Sequence, residues 1–504
     1  MYLRAGVFSL GLLLLSRVLG LLRESAQAAA FGSTGMGDAV IVMFTLPDLL
    51  VGMLVSGALS YVLLPVWAQQ STGAQAAGQK KIAYALAGGG LALGALVWLF
   101  RIEAVQALAP GLAGDMKVVS AGALVWSAVV MPLAMLAALW VTRLQHSQDF
   151  VGMYAGNLIV NLVLVAGLVV AAKTALEPTG ADTLTLLGVC LVMAMLARLA
   201  WLAWRLPATP ASVATTQPID LPAASVWLWA ALSSGLLLAL PLVARSLASS
   251  AGEGALASFN YAWKLIELPL VLAVQLVASL AFPAITRTQA GTPERAQAVS
   301  LAFLIAWALA CAAVAVVTTF SLPIAGLLFG WGRMSTTNLE VIAQWSAVGI
   351  WSLLPQALMA VLLTVMATHG RMQAAVWVYA VGLALLLLAR WLGGFHGQSV
   401  GASVGASVMW LLNAVFAGMA VVLMALEHRS IKGAFPYLAC LAPLLVSAAL
   451  ILLKPLFAGL NVASMLVCCA VYSLLVIGSA VLASPVLRGF LLEKFIQKSV
   501  SATP

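Results

Sequence analysis

The sequence is divided into about fourteen apolar stretches, each near the roughly 20 residues that a helix needs to cross a bilayer. They run over 5–30, 37–66, 82–100, 118–142, 150–172, 183–204, 223–248, 256–284, 298–320, 339–367, 373–389, 401–425, 434–453 and 463–485, separated by short breaks rich in Gly, Pro, Ser or charge. Few other structures are open to such a chain, because lipid offers no partners for loose backbone polar groups. Of the 504 residues 63% are hydrophobic and 8% charged, too few charges to cover a water-exposed globule, where about 25% is usual. A water-soluble enzyme is excluded. The expected fold is an all-α polytopic membrane protein.

The remaining composition adds little chemistry. Cys190, Cys311, Cys440, Cys468 and Cys469 all lie in apolar runs without C-x-x-C or His-rich context, and read as small buried hydrophobes rather than as disulfide partners or zinc ligands. The net charge of +9 comes from 24 Lys and Arg scattered along the chain, a membrane-topology pattern and not a nucleic-acid surface. With the N-terminus inside, one side collects Arg4, Lys80, Lys81, Arg143, Arg205, Arg287, Arg295, Arg371, Arg429, Lys432, Arg488, Lys494 and Lys498. The other side has Arg101, Lys117, Lys173, Arg333, Arg390 and Lys454. The excess predicts both termini in the cytoplasm. The first stretch reads as a retained helix and not a signal peptide, since Arg17 and Arg23 interrupt it and further spans follow.

Ionisable residues inside the spans are the informative ones, because each costs roughly 3 kcal/mol at mid-bilayer unless it faces a cavity or a partner. Arg17 stands ~18 Å into the first helix. It has Glu24 almost on its own face as a structural alternative, and Arg23 lies nearer the outer boundary, where snorkelling is the alternative. Asp38 is placed to cap the second helix. Asp48 follows Pro47, whose missing N–H kinks the span and opens it to water or a cation. In the eighth span Lys264 and Glu267 are three residues apart and able to pair just before Pro269. Arg198, with Trp201, Trp204 and Arg205 after it, reads as an interfacial anchor.

A shift of 222 residues lays Leu46-Pro47 over Leu268-Pro269, Arg23 over Arg245, and Asp38 over Asn260; Pro65 and Pro283 follow in the two copies at spacings that differ by four. Six helices separate the copies, so the halves keep one orientation: a parallel repeat, whose substrate site is expected at the repeat interface. The predicted division is a first six-helix lobe, 1–222, a second, 223–430, and two extra helices with a tail, 431–504.

Several motifs resemble one family. Ser16-Arg17-Val18-Leu19-Gly20, Arg23-Glu24, Phe31-Gly32, Gly37-Asp38-Ala39, Leu46-Pro47-Asp48-Leu49-Leu50, Ser56-Gly57-Ala58-Leu59-Ser60 and Leu64-Pro65 are similar to the opening of the MurJ/MviN lipid II flippases. Tyr261-Ala262 with Leu265, Glu267 and Pro269 resembles that family's eighth helix. Phe329-Gly330-Trp331-Gly332-Arg333 resembles the motif before its tenth. The resemblance implies two six-helix lobes around a cationic cavity, two C-terminal helices forming a groove for a polyprenyl tail, and alternating access. It puts Arg17, Arg23 and Asp38 on cavity positions, and Lys264 where the family usually has Arg. The family's paired arginines after Leu49-Leu50, and its following Glu, are replaced by Val51-Gly52 and Ser56; the aromatic close of the tenth helix is replaced by Val365-Met366-Ala367-Thr368-His369-Gly370. The acids that form a sodium site in some relatives are absent.

The expected function is therefore translocation of an undecaprenyl-pyrophosphate-linked sugar, foremost lipid II, across the bacterial inner membrane by a monomer, with cell-wall synthesis proteins as candidate partners. Arg17, Arg23, Arg245 and Lys264 are the expected pyrophosphate-binding residues; Asp38, Asp48, Glu267 and Asn260 are the expected coupling or gating residues. No cofactor, metal or nucleic acid is called for. A flippase for another lipid-linked oligosaccharide, such as an exopolysaccharide or O-antigen unit, is the alternative. A membrane glycosyl polymerase or ligase fits less well, since the longest outward loop is about 17 residues, Arg101 to Lys117, and no D-x-D or H-x-x-x-H pattern occurs.

Overall fold

The computed structural model describes residues 2–174, 180–206, 222–271, 292–392, 402–457 and 459–489, with the single positions 277, 281, 285 and 288. Among them all regular structure is helical. The helices are α1 (Tyr2–Phe31), α2 (Gly35–Met53), α3 (Leu59–Gln69), α4 (Thr72–Leu99), α5 (Arg101–Leu108) and α6 (Gly114–His146). Next come α7 (Phe150–Thr174), α8 (Gly180–Arg205), α9 (Ala224–Ser249), α10 (Ala255–Pro269), α11 (Pro293–Phe329) and α12 (Thr336–Gly349). The last are α13 (Leu353–Thr368), α14 (Met372–Trp391), α15 (Ala402–Leu426), α16 (His428–Ile431), α17 (Tyr437–Leu452) and α18 (Val462–Ala483).

Eleven of these runs, with α12 and α13 counted as one, are long and apolar enough to cross a membrane. The other three expected spans fall on α1, 30 residues long; on α10, whose helix reaches Pro269; and on α17, an apolar helix of 16 residues. Pro283, part of the proposed repeat, lies outside the described residues, as do Arg287, Lys494 and Lys498.

Local sequence explains the boundaries. Thr34 caps α2, its hydroxyl accepting from Gly37 N–H at 3.3 Å, and Ser71 and Asn461 do the same for α4 and α18. The expected single span 37–66 is α2 and α3 joined through a π-helical turn, Leu54–Ala58. Pro47 lies within α2, and the Met43 carbonyl that it leaves without an N–H accepts from the Ser127 hydroxyl instead.

The chain forms two compact units. Unit 1 comprises Met1–Tyr261, Phe329–Asn338 and Leu387–Gly405; unit 2 comprises Ala262–Leu328, Leu339–Leu386 and Ala406–Pro504. In unit 1, Met43 of α2, Val160, Leu164 and Leu168 of α7, and Leu184, Leu187 and Leu191 of α8 share one buried core. Helices α4 and α6 approach through Gly90 and Gly94. A Cβ on Gly90 would meet Pro132 Cα at 2.5 Å, and one on Gly94 would meet the Ala128 carbonyl oxygen at 2.5 Å. This is the small-xxx-small solution to packing helices in lipid, where backbone proximity substitutes for a hydrophobic drive. In unit 2, Cys311, Ala315 and Phe320 of α11 pack with Tyr472 and Val476 of α18. Cys311 and Cys440 are buried free thiols, as expected of small buried hydrophobes, whereas Cys190, Cys468 and Cys469 are free but only half-buried.

Candidate functional site

Unit 1 joins four intramembrane charges, Arg23, Glu24, Asp48 and Arg245, into one connected series. Arg23 of α1 sends Nη2 to Glu24 Oε1 and to Asp48 Oδ2, both at 3.1 Å, and lies 5.7 Å over the Phe44 ring. Glu24 Oε2 accepts from Asn260 Nδ2 at 2.8 Å. Asn260 Oδ1 accepts from Arg245 Nη1 at 2.9 Å, and Arg245 Nη2 donates to Thr45 Oγ1 at 2.6 Å. Helices α1, α2, α9 and α10 are thereby stitched together. Two arginines and two carboxylates cancel in formal charge, which is the form in which ions survive in a low-dielectric interior. Asp48, at one end, is exposed, whereas Glu24 and Asn260 are buried.

Asp38 stands apart from this series. It is fully buried, and its carboxylate accepts the backbone N–H groups of Gly254 and Ala257, each at 2.7 Å. These are orphan donors at the start of α10, so Asp38 caps a helix other than its own. The cap of α2 is Thr34 instead, because the chain enters that helix four residues before the expected cap.

The motif Phe329-Gly330-Trp331-Gly332-Arg333 has a mechanical role. Arg333 N–H donates to the Ala29 carbonyl at the end of α1 at 2.9 Å, and the Phe329 ring lies 5.1 Å from Tyr261. Gly32 and Gly332 both have positive φ, and a Cβ on either would collide with the facing backbone.

Lys264 and Glu267 on α10 form the expected pair, Nζ to Oε2 at 2.8 Å, both part-exposed. Lys264 follows Asn260 by four residues, so it continues the same helix face. Arg17 is exposed on α1. Its expected alternative partner, Glu24, is engaged by Arg23 and Asn260 instead.

Arg198 departs from its expected place. It is 4% exposed inside unit 1, with Nε lacking a partner among the described residues and the charge of Asp48 acting on it. Its neighbours face outward instead: Trp204 is 72% exposed, and Arg205 grips Asp149 with two bonds of 2.8 Å. Asp149 also caps α7 through Gly152 N–H. Burial pushes the Asp149 carboxyl up, but Arg205 and the Gly152 N–H together outweigh this and hold it below its ordinary value. Thr45 and Glu24 are the members of the charged series that charge-scanning for a substrate site leaves out; Glu24 was visible only as a neighbour of Arg17 and Arg23. Among the described residues no group of His, Cys, Asp and Glu is arranged to hold a metal ion.

A sequence model described as "Lipid II flippase MurJ" matches residues 27–490. The chain belongs to the lipid II flippase MurJ family. That family consists of flippases, not enzymes. A probable lipid II flippase MurJ of Rickettsia prowazekii (strain Madrid E) is 32% identical over 111 residues, an alignment spanning 21% of this chain and 22% of that one. Among solved structures, a lipid II flippase MurJ in an inward closed conformation superposes with a TM-score of 0.76 at 13% identity, covering 97% of this chain and 100% of that one. An inward-facing multidrug resistance MATE transporter of the MOP superfamily gives 0.59 at 15% identity, covering 82% and 95%. These likenesses establish the MurJ fold and a multi-pass membrane protein, in agreement with the sequence reading.

Proposed function

We propose that this MurJ family member moves an undecaprenyl-pyrophosphate-linked sugar, the peptidoglycan precursor lipid II, from the inner to the outer leaflet of the bacterial cytoplasmic membrane by alternating access. The observation that carries the reading is the family match over residues 27–490. The charged series supports it chemically. A pyrophosphate cannot cross hydrocarbon unaided, since burying an isolated charge costs tens of kcal/mol, and guanidinium groups replace its water through bidentate, charge-assisted hydrogen bonds.

In this proposal Arg17, Arg23, Arg245 and Lys264 supply the positive charge. Arg17 is exposed and ready, whereas Arg23 and Arg245 already hold protein partners. Substrate phosphate then competes with Glu24, Asp48 and Asn260 for them, and the exchange loosens the stitching of α1 and α2 to α9 and α10. Asp48, Glu267 and Asn260 act as gating groups, with Asp48 and Glu267 as proton carriers, and Asp38 holds the start of α10 in register. Membrane potential, worth ~2.3 kcal/mol per charge per 100 mV, resets the site. The lobes 1–222 and 223–430 move as the alternating bodies, with 431–504 guiding the polyprenyl tail and both termini cytoplasmic.

The test is lipid II accessibility on the outer leaflet of cells that depend on this protein. Arg17→Ala and Lys264→Ala are each expected to lower it about tenfold, one charge-assisted hydrogen bond. Full activity in both variants removes the site assignment. Unchanged flipping after collapse of the membrane potential and proton gradient removes the coupling. The replacement of family arginines by Val51-Gly52 favours a second reading, a different lipid-linked oligosaccharide; failure to complement depletion of a host's own lipid II flippase selects it.

A further inference from the structure

Near one end of its helices, unit 2 has a cavity of about 510 Å³ walled by α11, α12, α15 and Lys454. Helix α11 is broken at this wall: Phe320 is non-helical (φ −109, ψ 23), and Pro323 brings no N–H to the ladder. Lys454 Nζ donates to the Thr318 carbonyl at 3.1 Å. Among the described residues the buried hydroxyls of Thr318 and Thr319 have no hydrogen-bond partner, and Thr319 is 6% exposed. A helical threonine ordinarily returns its hydroxyl to the carbonyl one turn back. Two that do not, side by side in a cavity wall, are donors waiting for an acceptor.

The other lining groups indicate what that acceptor belongs to. Glu340 and Lys454 are exposed and of opposite charge. Trp410, 59% exposed, and Leu322, 46% exposed, put apolar surface on the same lining, as a residue facing lipid would. The volume suits one small head group. None of these residues belongs to the charged series of α1, α2, α9 and α10.

We propose that this cavity binds the head group of a zwitterionic phospholipid bearing a primary amine, a phosphatidylethanolamine. Lys454 and the two threonine hydroxyls take the phosphate, Glu340 takes the ammonium, and Trp410 lies against the glycerol and first methylenes while the acyl chains stay in the bilayer. A choline head keeps the phosphate contacts but has no N–H for Glu340. A glycerol head leaves Glu340 facing an anion uncompensated.

Native mass spectrometry of the full-length protein, stripped of lipid and offered equimolar phosphatidylethanolamine, phosphatidylcholine and phosphatidylglycerol with identical chains, tests this. The ethanolamine adduct is expected to exceed the other two by about tenfold, the ratio of one charged hydrogen bond. Glu340→Gln, at an exposed position, brings it down to the choline level. Lys454→Gln and Thr319→Val each lower all three adducts, because both residues hold the shared phosphate, the latter at unchanged melting temperature. Equal adducts, preference for the glycerol head, or variants indistinguishable from the parent protein overturn the proposal.

Discussion

At the residue scale, the sequence singled out Arg23, Arg245, Asp38, Asp48, Asn260 and Lys264 because a polar group in an apolar helix is expensive wherever it sits. Their partners were not readable. Asn260 meets Glu24 across 236 residues and Arg245 meets Thr45 across 200, and no local spacing encodes such contacts. Arg198 was misplaced for a related reason: tryptophans after it suggested an interface, but its own side chain turns into the bundle. Asn260 is the neutral link between two charged groups, and it satisfies both with one amide. Asn260→Leu keeps the volume and leaves a carboxylate oxygen and a guanidinium N–H buried without their partner. The expected loss is about 3 kcal/mol of stability, seen as a lower melting temperature in detergent. Asn260→Gln, which keeps both polar ends, recovers part of it. Equal melting of the Leu variant and the parent protein removes the linking role.

At the element scale, hydropathy located the helices well because the period of a membrane helix is its length, not its pattern. What it could not resolve was how each helix is broken: 37–66 proved to be two helices joined by a π turn, and 298–320 proved to be part of α11, whose 37 residues bend at Phe320. The Gly88-Gly89-Gly90 run illustrates the same limit, since three adjacent glycines differ entirely in role. A Cβ on Gly90 would meet Pro132 Cα at 2.5 Å, while nothing lies within 4 Å of a Cβ on Gly88. Gly90→Ala and Gly94→Ala each force α4 from α6 and are expected to cost about 1–3 kcal/mol, whereas Gly88→Ala removes chain entropy and is neutral or stabilising by about 0.5 kcal/mol. Melting of the three variants decides it; equal effects would mean that the close approach does not matter. At the start of α7, where it holds Arg205 of α8, Asp149 has a lowered pKa, so its contribution is present above its unfolded value, about 3.9, and fades as pH falls through the folded one. Asp149→Asn keeps the cap and removes the charge. Its melting deficit relative to the parent is expected to be constant from pH 7 to 5 and to close below about pH 4.

At the scale of the whole molecule, the orientation in the membrane sets the direction of transport, and it rests on the distribution of basic residues. Six of these face outward in the cytoplasmic-termini reading, and the structure gives four of them a local reason to be there. Arg101 donates to the Trp98 carbonyl, Lys454 to the Thr318 carbonyl, and Arg390 to the carbonyls of Gln106 and Ala107, while Lys117 pairs with Gln106. Three therefore close backbone carbonyls near helix ends, where a cation is favoured by the dipole and by unpaired acceptors. Charges retained for capping weigh less against the positive-inside pattern than charges without a partner would. The reading predicts that Glu103→Cys, exposed on α5, reacts with a membrane-impermeant maleimide on intact cells, and that Lys81→Cys, exposed on α4, reacts only after permeabilisation. Background is low because Cys311 and Cys440 are buried and the other three thiols are partly covered within apolar helices. The reverse pattern would invert the protein in the membrane. Lys81 and its side would then face outward, and a site filled from that side would carry its lipid inward, opposite to what outer-leaflet delivery of a cell-wall precursor requires.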